Sequence, residues 1–80
     1  MSHTPHELVE EFPDQVERIQ ALKVENGHFL RLAEEYHEVN RTIHRAETNV
    51  DPVDDSYEAA LRRRRLLLKD QIARMLRQPA

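Results

Sequence analysis

The sequence predicts an all-α fold: an antiparallel helical hairpin of coiled-coil-like character, preceded by a short N-terminal helical segment. Three observations carry that expectation. Charged residues make up 34% of the 80 positions and aromatic residues 5%, with one glycine and four prolines, which is the profile of long, surface-rich helices more than of a sheet. Phe29, Leu32, Tyr36, Val39, Ile43 and Ala46 recur in alternating steps of three and four, a heptad-like stripe. A second stripe, Tyr57, Leu61, Leu68, Ile72, Met75 and Leu76, follows after a proline-containing break.

The expected parts of this single small domain are an N-terminal helical segment over residues 1–25, a first long helix over 26–48, a loop over 49–55 and a second long helix over 56–77. Thr4-Pro5-His6-Glu7 predicts a helix start. Threonine would cap, proline would take the first helical position, where its missing N–H costs nothing, and glutamate would reach back. Pro13 interrupts that piece, because a proline disfavours helical geometry in the residue before it. A second short piece then carries Val16, Ile19 and Leu22 on one side. Neither piece is long enough to hold its helix unaided. Asn26-Gly27 predicts a kink or break before the first long helix. Asn49-Val50-Asp51-Pro52-Val53-Asp54-Asp55 predicts the connecting loop, with Asp55 capping the last helix and Glu58 three residues on.

A loop this short favours antiparallel neighbours. Folding back about Pro52 sets Ile43 against Leu61, Tyr36 against Leu68, Leu32 against Ile72, and Phe29 against Met75. Each of these layers is apolar on both sides. Val39 meets Arg65 instead, which raises the question of the run Arg62-Arg63-Arg64-Arg65. At about 100° per residue, four successive arginines spread over about 300° and cannot make one patch. Arg64 and Arg65 fall on the shoulders of the seam, and Arg62 and Arg63 point sideways and outward. The shoulder arginines are expected to reach Glu35, Glu38 and Asn40.

Charge supports that reading. The net charge is -3, but residues 1–55 hold 13 acidic and 5 basic residues, whereas residues 56–80 hold 2 acidic and 7 basic. The chain can therefore supply its own counter-charge. A hairpin of this size buries little surface alone, so further burial is expected from the N-terminal segment, a second subunit or both. Leu66 and Leu67 face away from the seam and offer a second surface.

The stretches LKVENGHFLRLAEEYHEVNRTIHRAE and LRRRRLLLKDQIARML resemble the YdcH-like family of small bacterial proteins, a domain of unknown function, over about residues 16–77. The more specific parts are Leu22-Lys23 with Glu25-Asn26 and His28-Phe29, Ile43 closing the first long helix, and the arrangement from Arg65 to Ile72. Gly27 stands where such proteins often carry proline. The resemblance implies a short helical hairpin or coiled coil in the bacterial cytoplasm, and it implies no catalytic residues.

The residues themselves point away from catalysis. No cysteine is present, which removes thiolate chemistry and fits a reducing compartment. The only serines are Ser2 and Ser56, and no glycine-rich phosphate cradle or nucleophile elbow occurs. His37 and His44 share a helix side but lie about 10 Å apart at 1.5 Å per residue, too far for one ion. Asp51, Asp54 and Asp55 lack the alternating ligands and central glycine of a calcium loop. No metal and no cofactor is expected. The opening MSHTPHELVEEF lacks a basic start followed by an apolar stretch, and no segment approaches the about 20 apolar residues of a membrane span. The expectation is a soluble, cytoplasmic, non-catalytic interaction protein with no membrane association, one that self-associates or docks on a helical partner. His28, Phe29, Leu66 and Leu67 are its candidate contact residues. The alternative is a nucleic-acid-associated factor using Arg62, Arg63, Lys69, Arg74 and Arg77, although the net acidic charge and the lack of a free aromatic platform oppose it.

Overall fold

The computed structural model describes residues 5–48 and 53–78. Four α-helices follow one another: α1 Leu8–Glu11, α2 Val16–Glu25, α3 Gly27–Glu47 and α4 Asp55–Arg77, with a 3-10 turn at Pro13–Gln15 between the first two. The long pair α3 and α4 packs antiparallel, and the described residues form no strand. The molecule measures 41 × 28 × 19 Å. A continuous helix over residues 27–77 would run about 75 Å, so the chain does fold back.

Each boundary has a local cause, and several differ from expectation. The first helix does not start at Pro5. Thr4 lies outside the described residues, and Pro5 and His6 form a turn in which His6 adopts φ 65, the left-handed region. The Pro5 carbonyl accepts from Asn40 Nδ2 at 2.8 Å and the His6 carbonyl accepts from the Tyr36 hydroxyl at 2.6 Å. Those carbonyls are aimed at buried polar groups of α3, and the turn that aims them there is not helical. Glu7 becomes the cap, its N–H donating to Glu10 Oε1 at 3.2 Å.

Pro13 ends α1 as expected, and α2 resumes after the 3-10 turn. Of the three apolar residues expected to line up on α2, Ile19 is fully buried and Leu22 packs against the core, but Val16 remains 39% exposed. It is the first residue of α2. Asn26 serves two helices at once. Its N–H donates to the Leu22 carbonyl at 2.9 Å, closing α2, and its Oδ1 accepts from Phe29 N–H at 3.1 Å, opening α3.

The expected loop falls partly on residues 49–52, outside the described residues. Asp54, one residue earlier than expected, caps α4 by accepting from Tyr57 N–H at 2.9 Å. Asp55 and Glu58 then lie in the first turn, where their charge favours the helix N-terminus.

Leu8, Ile19, Phe29, Leu32, Ala33, Tyr36, Leu68, Ile72 and Leu76 form one core. Tyr36 and Leu68, opposed in the expected register, are both fully buried within it. Leu8 and Ile19 show that the N-terminal segment supplies burial that the hairpin lacks. Fully burying such a side chain contributes roughly 1.5–3 kcal/mol.

Candidate functional site

The basic helix α4 presents two kinds of cation. Arg62, Arg64 and Lys69 are spent within the chain. Arg64 Nε donates to Glu35 Oε2 at 2.8 Å, and its Nη2 reaches the same oxygen. Arg62 Nη2 pairs with Glu47 at 2.7 Å and with Glu58 at 3.6 Å, so Arg62 is not the freely solvated side chain expected from its angle on the helix. Its stem is long enough to bend back to the C-terminal end of α3. Lys69 Nζ donates to Glu11 Oε1 at 3.1 Å and stands 6.0 Å from the centroid of the Phe12 ring. Glu38, expected to meet an α4 arginine, pairs with Arg41 on its own helix.

Arg65 differs from these. It bonds the amide oxygen of Asn40 at 2.9 Å, as its place on the seam shoulder led one to expect, and meets no carboxylate among the described residues. Asn40, 1% exposed, thereby joins three segments: its Nδ2 holds the Pro5 carbonyl and its Oδ1 holds Arg65.

Arg63, Arg74 and Arg77 are exposed and have no ion pair among the described residues. At 100° per residue they share an arc of about 60° on the outer side of α4. Leu66 and Leu67, 60% and 56% exposed, flank that arc, and Asp70 lies within it. The other two contact candidates part company. Phe29 is completely buried in the core, so it forms part of the scaffold and offers no free surface. His28 is exposed and lines a cleft of about 320 Å³ with Leu32, Gln71, Arg74, Met75 and Gln78. The structure thus brings His28 and Arg74 to one end of the hairpin, where Arg18 Nη2 also donates to the Gln78 carbonyl at 2.7 Å.

A second cleft, of about 270 Å³, lies between α4 and the N-terminal segment. Arg62, Arg65, Leu66 and Lys69 form one wall, His6 and Glu11 the other, and Tyr36 the floor. His6 Nδ1 stands 3.4 Å from Glu11, and on the neighbouring turn His37 Nδ1 stands 2.6 Å from Glu7. Burial works against ionisation of Glu11, but the hydrogen bond and charge of Lys69, joined by His6, outweigh it and hold its carboxyl below the usual value. Burial pushes the Tyr36 hydroxyl up to about 12, with the Glu11 and Glu7 charges adding to the rise and Arg65 opposing it. Sequence reasoning did not find this cleft. Its one visible signal was Asn40, a polar residue set in an apolar stripe four positions after Tyr36, the kind of position that fixes register.

The model of the DUF465 family, described as a protein of unknown function, matches residues 29–76. The chain belongs to the DUF465 family. The match spans α3 and α4 almost from end to end, and this family of YdcH-like small proteins is the one the sequence resembles. No curated protein and no solved structure matches the chain. The second cleft therefore joins a wall inside the DUF465 match to a wall, His6 to Glu11, that precedes it. Among the described residues of this DUF465 protein, no three histidine, aspartate or glutamate side chains are grouped to hold a metal ion, and no helix is long and apolar enough to cross a membrane.

Proposed function

We propose that this DUF465 protein is a non-catalytic, cytoplasmic interaction module whose α4 docks its outer face on a helix, either of a second copy or of another protein. The observation that carries the reading is the pair Leu66 and Leu67, more than half exposed in the middle of a helix whose opposite side buries Leu68, Ile72 and Leu76. Two adjacent leucines left in water form a surface that a helix-in-groove partner would bury, and Arg63, Arg74 and Arg77 beside them would orient an acidic partner helix. The acidic first 55 residues of a second copy have the matching charge.

Sedimentation equilibrium over a wide dilution range tests self-association. The native chain is expected to associate reversibly, and a Leu66→Glu, Leu67→Glu double variant to sediment as a monomer with unchanged helicity. A native chain that stays monomeric at every concentration ends the self-association form of the reading.

The exposed arc of Arg63, Arg74 and Arg77 favours a second reading, association with nucleic acid through phosphate contacts. Arg62 and Lys69 contribute less to it, being engaged with Glu47, Glu58 and Glu11. Titration with mixed RNA and duplex DNA at low salt separates the two readings. Absence of binding at micromolar protein removes the second.

A further inference from the structure

We infer that the cleft between α4 and the Pro5–Glu11 segment is a binding site for a small phosphate-bearing anion, held chiefly by Arg65 with help from Arg62 and Lys69. The inference shares only Leu66 with the outer face of α4 and needs none of Arg63, Leu67, Arg74 and Arg77. Three cations converge on this cleft, set one helical turn apart at positions 62, 65 and 69; Lys69 pairs with Glu11 and Arg62 with Glu47 and Glu58, which leaves Arg65 as the one of the three that meets no carboxylate among the described residues. The cleft's uncompensated charge is that of Arg65, in a chain whose net charge is -3. Arg65 is the cation with the most to offer. Its guanidinium carries five N–H donors, and among the described residues the contact it makes with a side chain is the single bond from Nη1 to the neutral Asn40 oxygen. It lies half-buried beside Tyr36, where screening by solvent is reduced.

The geometry selects the ligand class. Donors arrive from Arg62, Arg65 and Lys69 along one wall, and a tetrahedral anion with several oxygens satisfies more of them than the two oxygens of a carboxylate can. The Tyr36 hydroxyl proton is already given to the His6 carbonyl at 2.6 Å, so the cations carry the recognition. A volume of about 270 Å³ suits a small ligand, being below the usual range of drug-sized sites. Leu66 at the rim gives an organic phosphate an apolar surface on which to rest its carbon skeleton.

The test is a nitrogen-15 NMR titration of the full chain with inorganic phosphate at constant ionic strength, with parallel arms of acetate and of phosphatidylglycerol vesicles. Saturable shifts confined to His6–Glu11 and Arg62–Lys69 are expected. Arg65→Gln should weaken binding by about tenfold or more, the loss of charge-assisted hydrogen bonds, while Arg63→Gln, an equal charge change on the outer face, should leave it unchanged. Arg62→Gln, which gives up only surface ion pairs, is expected to weaken binding several-fold and serves if Arg65→Gln does not fold. Shifts that never saturate, equal affinities in the Arg62, Arg63 and Arg65 variants, tighter binding of acetate than of phosphate, or binding to vesicles without a response to phosphate would each overturn the assignment.

Discussion

Arg65 and Asn40 meet across the hairpin, the arginine Nη1 donating to the amide oxygen at 2.9 Å while the same amide donates to the Pro5 carbonyl at 2.8 Å. One buried side chain thus sets the registration of α3 against α4 and of the N-terminal turn against both. Among the described residues every buried side-chain polar atom has a partner, so Asn40 costs little in place and much when removed.

Asn40→Ala should therefore destabilise the fold by about 1–3 kcal/mol, because it leaves the half-buried Pro5 carbonyl without its donor and the half-buried Arg65 Nη1 without its acceptor. Urea denaturation read by circular dichroism measures the loss. Hydrogen exchange should locate it, with protection falling first in α1. A variant as stable as the native chain, with α1 equally protected, would show that Asn40 joins nothing of consequence.

Tyr36 predicts an alkaline sensitivity. Its hydroxyl has an ordinary value of 10.0 and is raised to about 12 in the fold, chiefly by burial. A raised acid keeps its proton longer when folded than when unfolded, so the unfolded chain binds fewer protons between those two values. Its contribution is complete below the unfolded value and is lost as pH rises from about 10 through about 12. Tyr36→Phe should remove that part of the alkaline loss, at a cost near neutral pH of about 0.5–1.5 kcal/mol for the bond to His6. Denaturation midpoints measured along an alkaline pH series decide it: parallel decline in both proteins would contradict the assignment.

Glu11 acts at the opposite end of the pH scale. Its carboxyl is held below its ordinary value of 4.5, so its contribution is present above that value and disappears as pH falls through the lower folded value. The group is partly exposed and the pair with Lys69 is wetted, so the contribution is about 0–1 kcal/mol. Glu11→Gln should flatten the acid limb of a stability profile and leave the neutral plateau nearly unchanged. High salt should shrink the difference between the two proteins, and a salt-independent difference would point to packing on Phe12 instead.

The hairpin was legible because its two stripes are long and helical in period. Tyr36 and Leu68 are each backed by several residues in register, and a fold-back about Pro52 is the arrangement that buries both. The N-terminal packing was not legible for the converse reason. α1 spans four residues and shows no period, and the burial of Leu8 depends on a turn whose carbonyls are turned away by Tyr36 and Asn40 on a distant helix. The same tertiary contacts moved the helix start from Pro5 to Leu8. The cap of α4 slipped by one residue because Asp54 and Asp55 are chemically equal and only the backbone angle chooses between them. The second cleft escaped because its walls come from opposite ends of the chain. His28 and Phe29 are neighbours in sequence, yet successive residues on a helix point about 100° apart, so one lines a cleft and the other fills the core.

Gly27 offers a way to stiffen the joint between α2 and α3. It is the first residue of α3, its φ is not positive, and a Cβ built there meets nothing within 4 Å, so no feature of the backbone requires glycine. Its N–H is among the four that a helix N-terminus leaves without an internal partner. The preceding residue, Asn26, has φ -133 and ψ 106, which a following proline tolerates. Both Gly27→Ala and Gly27→Pro should thus stabilise the protein by about 0.4–1 kcal/mol by narrowing the unfolded ensemble, with proline also matching the first helical position. The cap from Asn26 to the Phe29 N–H survives both changes. Urea midpoints should rise with an unaltered dependence on denaturant, since no surface is newly buried. If alanine stabilises and proline does not, the Gly27 N–H has a role in holding α3; if both destabilise, the backbone at the joint departs from helical geometry and the account of Asn26 as a shared cap fails.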